Sequence, residues 1–206
     1  MAKFADVILD APCAASHGRD LTTLIPGFKP SVRDILKDLN EDLGGLSSAS
    51  VIVCGVRNRL GAPSSEMLAL LRSLAPHVGI FVVESSTEQM ALWLPRIRSC
   101  GVDEAFCLNS RSALLRFVEV LNARVRTPPP EEPLRALWAL WASVPLRLDA
   151  MHCVRNAYRP ELVRVAHHWF GLTEKRWRAK FVKAGLPTPL TLSRFGRQLH
   201  VRELRL

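Results

Sequence analysis

The sequence predicts two domains of different class: an α/β domain with a parallel sheet over residues 1–125, and an all-α domain over residues 134–206. Three observations carry this division. Residues 1–125 alternate short β-branched runs with helically spaced apolar positions, the pattern of parallel strands joined by crossover helices. Next, Arg126-Thr127-Pro128-Pro129-Pro130-Glu131-Glu132-Pro133 contains three consecutive prolines, which cannot continue a helix and favour an extended spacer, so residues 126–133 are read as a linker. Charge changes at the same place. The whole chain is net +9, but residues 134–206 hold 14 basic and 4 acidic residues, or +10, whereas residues 1–133 hold 14 and 15, or −1. Such asymmetry points to a polyanionic partner for the second domain alone.

In chain order, Val7-Ile8-Leu9 is strand-like, and Ser31 to Leu43 is read as an amphipathic helix ended by Gly44-Gly45. Val51-Ile52-Val53-Cys54-Gly55-Val56 and Gly79-Ile80-Phe81-Val82-Val83-Glu84 are nearly continuous apolar runs, as expected of strands buried on both faces. Between them, Met67, Leu68, Leu70, Leu71 and Leu74 give Ser64 to Leu74 a helical period. A helix from about Thr87 to Ser99 leads through Cys100-Gly101 to a strand near Glu104 to Leu108. Asn109-Ser110 then precedes a helix from Arg111 to Ala123, with Ser110 as its N-cap.

The second domain reads as helices throughout. They span Leu134 to Val144, Leu146 to Ala157 and Glu161 to Phe170, the last started by Pro160. Gly171 supplies a tight turn, and Thr173 caps a basic helix that ends at Gly185. Trp177 and Phe181, four residues apart, share its apolar side, while Lys175 and Arg178 lie away from it. A helix with a packed back and a basic front is what the DNA major groove admits. Leu186-Pro187-Thr188-Pro189 breaks the path before a last helix from Leu190 to Leu204. Trp138, Trp141, Trp169 and Trp177 are expected in the core of this small helical domain rather than stacked on bases.

Other function classes find little support. At 206 residues and 48% hydrophobic content the chain can build packed cores. No apolar run approaches the roughly 18 residues of a membrane span, and Met1-Ala2-Lys3-Phe4 does not begin a secretory signal, so a cytoplasmic protein is expected. Cys13, Cys54, Cys100, Cys107 and Cys153 have no metal-ligand spacing and are expected as reduced thiols. His167 and His168 are adjacent on a helix and point about 100° apart, unsuited to one metal ion. With no glycine-rich phosphate loop and no nucleophile–base–acid set, neither a cofactor nor an enzymatic activity is expected.

Residues 49–125 resemble the second half of a response-regulator receiver domain: strand, helix, strand, helix, a Gly101-Val102-Asp103-Glu104 strand, Asn109-Ser110 and a helix. The resemblance implies a flavodoxin-like fold with a phosphoacceptor aspartate at the end of the central strand. Here that strand ends Val53-Cys54-Gly55, without a carboxylate. Asp10 follows the first strand without an acidic pair, Ser85 stands near the hydroxyl position, and Asn109 near that of the Lys. A receiver-like domain lacking the acceptor is therefore expected, acting in dimerisation or in sensing a regulatory protein partner. Separately, Asp10-Ala11-Pro12-Cys13 resembles the Asp-Ala-Pro-Cys segment of RNA cytosine-C5 methyltransferases, which would make Cys13 part of an active site. That family needs a glycine-rich cofactor-binding unit upstream, and too few residues precede Asp10 to hold one, so coincidence is expected.

Gly171-Leu172-Thr173, Trp177, Phe181, Ala184-Gly185-Leu186-Pro187 and Leu192-Ser193-Arg194-Phe195-Gly196-Arg197-Gln198-Leu199 together resemble the first helix-turn-helix of AraC-type transcription regulators and the linker helix after it. The match covers about residues 146–206. It implies that the helix after Thr173 enters the major groove of double-stranded DNA, with Lys175, Arg178 and Ala179 facing the bases. Ala179 replaces a residue that is usually basic in that family. Arg176, Lys180 and Lys183 suit phosphate contacts. AraC-type domains carry a second helix-turn-helix, which would begin where this chain stops, so either the natural chain continues or a single reader works, as a homodimer. The expectation is a bacterial transcription regulator; the alternative is an interaction or scaffold module whose helix-turn-helix does not read DNA.

Overall fold

The computed structural model describes residues 7–24, 30–41, 46–58, 61–129, 131–141, 146–157 and 172–203. Gly44-Gly45, the helix expected over residues 161–170 with His167, His168 and Trp169, and the Gly171 turn lie outside them. The chain divides into two compact units, Met1–Pro128 and Pro129–Leu206.

The first unit is a five-stranded parallel sheet in the order β2-β1-β3-β4-β5. Its strands are β1 (Val7–Asp10), β2 (Ser31–Arg33), β3 (Val51–Gly55), β4 (Gly79–Glu84) and β5 (Glu104–Cys107). Helices α1 (Ala11–Leu24), α2 (Ile35–Glu41), α3 (Ser65–Leu74), α4 (Thr87–Arg98) and α5 (Arg111–Arg126) alternate with them. This is the flavodoxin-like strand order, whose direction of progression reverses between β1 and β3.

Side-chain alternation sorts the core into two layers. Ile8, Ile52, Cys54, Ile80 and Val82 face one side and pack with Ile35 of α2, Met67, Leu68 and Leu71 of α3, and Met90 and Ile97 of α4. Val7, Leu9, Val51, Val53, Phe81, Val83 and Phe106 face the other, against Cys13 and Leu21 of α1 and Leu114, Phe117, Val120 and Leu121 of α5. Phe81, Phe106 and Phe117 meet edge to face, with centroids 5.1–6.3 Å apart. Burial on both faces is why β3 and β4 are almost purely apolar.

Two elements depart from expectation. Ser31 to Leu43 is not one helix: Ser31–Arg33 forms β2, and α2 begins only at Ile35. The competing term is the ladder with β1, which pairs Ile8 with Ser31, Leu9 with Val32 and Asp10 with Arg33. The Asp10 Oδ1 also accepts from the Ile35 N–H at 3.2 Å, and Asp34 Oδ1 accepts from Lys37 N–H at 3.2 Å, starting the helix one turn later. The second departure is α1, a helix of 14 residues over a stretch to which the sequence reading assigned no element. Ser110 is the N-cap expected of it, accepting from Ala113 N–H, and Ser86, which the sequence reading did not name, caps α4 by accepting from Gln89 N–H, each at 3.2 Å.

The described part of the second unit consists of helices: α6 (Glu131–Leu140), α7 (Arg147–Arg155), α8 (Glu174–Lys183) and α9 (Pro189–Glu203). Helix α6 starts inside the expected linker and ends before Val144. Glu131 and Glu132 favour its first turn, and Pro133 is tolerated there because the first turn's N–H groups have no helical acceptor. The core joins Leu134, Ala150, Met151, Cys153, Val154, Trp177, Phe181, Leu186 and Leu192.

Candidate nucleic-acid interface

Helix α8 is locally specified at both ends. Thr173 is extended (φ −76°, ψ 154°), and its hydroxyl accepts from the Arg176 N–H at 3.3 Å. Glu174 opens the helix and Lys180 and Lys183 close it, each in the favourable field of the helix dipole. At the far end Gly185 takes φ +70°. Its N–H donates to Val182 O at 3.0 Å and the Leu186 N–H to Phe181 O at 2.9 Å, the paired closure of a Schellman stop, with Leu186 buried behind it.

The back of α8 is Trp177 and Phe181, both buried, with ring centroids 5.2 Å apart and nearly perpendicular. All seven residues expected to meet DNA, Thr173, Lys175, Arg176, Arg178, Ala179, Lys180 and Lys183, are exposed. At about 100° per residue, Lys175, Ala179 and Lys183 project most directly away from the buried side, while Arg178 and Lys180 flank it. Arg178 pairs with Glu174 one turn earlier, so it lies along the helix. Val182, which the sequence reading passed over, is 66% exposed beside Ala179 and Lys183. The outward face is therefore basic at its rim and small and apolar at its centre.

Beneath α8, Asp149 of α7 is buried, and burial pushes its pKa up to about 6, opposed by the facing Trp177 indole and Lys180 ammonium. The folded unit holds this proton more tightly than the unfolded chain, in which a carboxyl titrates near 3.8. The helical unit's stability is therefore expected to fall between about pH 4 and pH 6, by on the order of 3 kcal/mol, and to level off above. Asp149→Asn should flatten that slope and raise stability at pH 7. Urea midpoints across this range, read in a Trp93→Phe background so that fluorescence comes from tryptophans beyond residue 128 alone, check both statements.

In the first unit, a cleft of about 510 Å³ opens at the C-terminal ends of β1, β3 and β4. It is lined by Cys13 and His17 of α1, Arg57 and Asn58 after β3, and Glu84 and Ser85 at the end of β4. Ser85 thus reaches the site that the receiver resemblance implies. Asn109 does not line it; its Nδ2 donates to Thr87 Oγ1 at 2.8 Å. Asp10, at the end of β1, is 2% exposed, and burial raises its pKa. Burial, with the charges of Asp10 and Glu84, pushes the Cys13 thiol up to about 12, so a thiolate nucleophile is disfavoured. Cys54, Cys100 and Cys153 are likewise buried thiols with raised pKa values, and all five cysteines are free. Sequence reasoning missed His17, Arg57 and Glu84, because three separate segments supply them. Among the described residues no His, Cys, Asp or Glu cluster is suited to a metal, and no helix is long and apolar enough to cross a membrane.

No protein-family profile matches the chain, and no curated protein does. Two solved structures of the Salmonella typhimurium RcsB response regulator, described in terms of conformational dynamism for DNA interaction, align over 95% of this chain and 98% of their own. Identities are 13% and 12%, with TM-scores of 0.41 and 0.42, values too low to carry an argument about this chain.

Proposed function

We propose that the chain is a DNA-binding transcription regulator whose helical unit reads DNA through α8 in the manner of an AraC-type helix-turn-helix. The receiver-like unit is not phosphorylated and serves dimerisation or sensing, since its central strand ends Cys54-Gly55 without an acceptor carboxylate. One observation carries the DNA reading: a helix capped at both ends and anchored by Trp177 and Phe181 presents Lys175, Arg176, Lys180 and Lys183 outward, within a segment of net charge +10. Those cations suit phosphates, which set affinity and register, while Ala179 and Val182 at the centre of the face suit the methyl groups of thymine.

Binding of the full chain to mixed-sequence duplex at several salt concentrations tests this. About four phosphate contacts per protomer should give log K against log salt a slope of about −3.5. The Lys175→Ala/Arg178→Ala double variant should bind at least about tenfold more weakly. Absence of retention at low salt would overturn the proposal for DNA. A stable aspartyl phosphate after incubation with acetyl phosphate would overturn the non-phosphorylated part. Val182, apolar and 66% exposed, favours the second reading, an interaction module, and that reading gains if duplex binding fails.

A further inference from the structure

The flavodoxin-like order places its crevice where the strand progression reverses, between the C-terminal ends of β1 and β3, the usual position of ligands in open parallel sheets. The cleft there, at about 510 Å³, falls within the roughly 300–1,000 Å³ of small-molecule sites. Its lining is mixed: Cys13 and His17 are buried, Asn58 and Glu84 half-buried, and Arg57 and Ser85 exposed. His17 is 9% exposed, lines the cleft, and makes no hydrogen bond among the described residues. Its ring nitrogens are not among the buried polar atoms left without a partner, so they face the open cleft, where a ligand group can reach them.

Two opposite charges stand on the same walls, and among the described residues neither has a charged partner. Arg57 Nη1 donates to Gly61 O at 3.0 Å, Nη2 to Gln89 Oε1 at 3.4 Å, and the guanidinium lies over the Trp93 ring at 6.0 Å. These contacts hold the exposed guanidinium beside the cleft, and among the described residues no carboxylate pairs with it. Glu84 Oε1 accepts from Ser85 N–H at 2.8 Å, Ser86 N–H at 3.1 Å and Ser85 Oγ at 3.3 Å, which pins the carboxylate, and among the described residues nothing donates to Oε2. Ser85 and Asn58 add uncharged polar groups, and Cys13 adds a protonated, weakly polar wall. A lone anion would gain Arg57 but meet Glu84; a lone cation would meet the converse. A ligand with both charges satisfies the two together.

We propose that this switch-point cleft binds a small zwitterion of the α-amino-acid class, its carboxylate on Arg57 and His17 and its ammonium on Glu84. The site deepens the sensing role proposed for the first unit but does not depend on DNA binding, because the two are measured separately on the same chain. The full chain is titrated calorimetrically with each of the twenty α-amino acids, and the strongest ligand is compared with its des-amino and decarboxylated analogues and with inorganic phosphate. At least one amino acid should bind with Kd below about 1 mM, and loss of either charged group should weaken it at least about tenfold. Arg57→Gln and Glu84→Gln should each weaken it by about the same factor, with an unchanged circular dichroism spectrum establishing that the variant is folded. His17→Gln, which keeps a hydrogen-bonding group, should cost less. The proposal is overturned if no amino acid binds at about 10 mM. It is equally overturned if phosphate or the des-amino carboxylate binds as well, which makes the cleft an anion site, or if folded variants retain full affinity.

Discussion

Arg72→Ala should destabilise the α/β unit by about 3–5 kcal/mol, among the largest single-residue effects open to it. Arg72 is fully buried on α3, yet every side of its guanidinium is engaged. Nε donates to Gly101 O at 2.9 Å, Nη1 to Pro76 O at 2.9 Å and Val78 O at 2.8 Å, and Nη2 to Asp103 Oδ2 at 2.8 Å. Asp103 in turn accepts from the Ile80 N–H at 2.9 Å. One side chain thus ties the end of α3, the segment leading into β4 and the turn before β5 into a single network. Truncation removes the guanidinium from the buried Asp103 carboxylate and a donor from each of the carbonyls it serves, and water cannot replace it cheaply. Arg72→Met keeps most of the buried volume, so the excess cost of Ala over Met reports packing and the remainder the network. Trp93 is the only tryptophan in residues 1–128, so urea unfolding followed at that residue isolates this unit in the full chain. A loss below about 1 kcal/mol would mean that the network merely replaces solvent.

Nothing in the helical period of α3 distinguished Arg72 from a solvated basic residue, and this marks the boundary of what was legible. Local signals read correctly. The continuous apolar runs of β3 and β4, the Ser110 cap, and the pairing of Thr173 with Gly185 around Trp177 and Phe181 all depend on neighbours within a few residues. What failed depended on partners far along the chain. β2 is a three-residue edge strand, and Val32 in its centre is 59% exposed, so it carries no alternation and exists through its ladder with β1. Helix α1 buries a narrow stripe, Cys13, His17 and Leu21, against Val7 and Leu9, with Gly18 lowering its intrinsic propensity. The cleft draws His17 from α1 and Arg57 and Glu84 from the ends of β3 and β4, which only the sheet order brings together. The Glu174–Arg178 pair is the exception. Its four-residue spacing is local, yet the sequence reading passed over it and assigned Arg178 to the bases, whereas the pair lays Arg178 along the helix.

Gly196→Ala should be the most damaging conservative change in the helical unit, although alanine is normally the better helix former by about 1 kcal/mol. Gly196 lies within α9, where that helix crosses α7. A Cβ there would stand 2.5 Å from Val154 O, 2.7 Å from Ala157 Cβ and 3.1 Å from Val154 Cα. Two of these atoms are backbone and the third is a Cβ, so no side-chain rotation relieves the contact and the helices must separate. Overpacking of this kind costs typically 1–3 kcal/mol, and the upper end is expected because the obstacle is the main chain. The consequence reaches the candidate interface, because Val154 and Leu192 on those helices share a core with Trp177 and Phe181 behind α8. Stability and duplex affinity should therefore fall together. Gly185→Ala provides the contrast: no atom lies within 4 Å of its added Cβ, and only φ +70° opposes it, a cost of about 1–2 kcal/mol. Thermal unfolding of both variants in the Trp93→Phe background decides between crowding and backbone strain. If Gly196→Ala proves as stable as the parent, α7 and α9 are not in close contact, and the packed back that orients α8 is assembled differently.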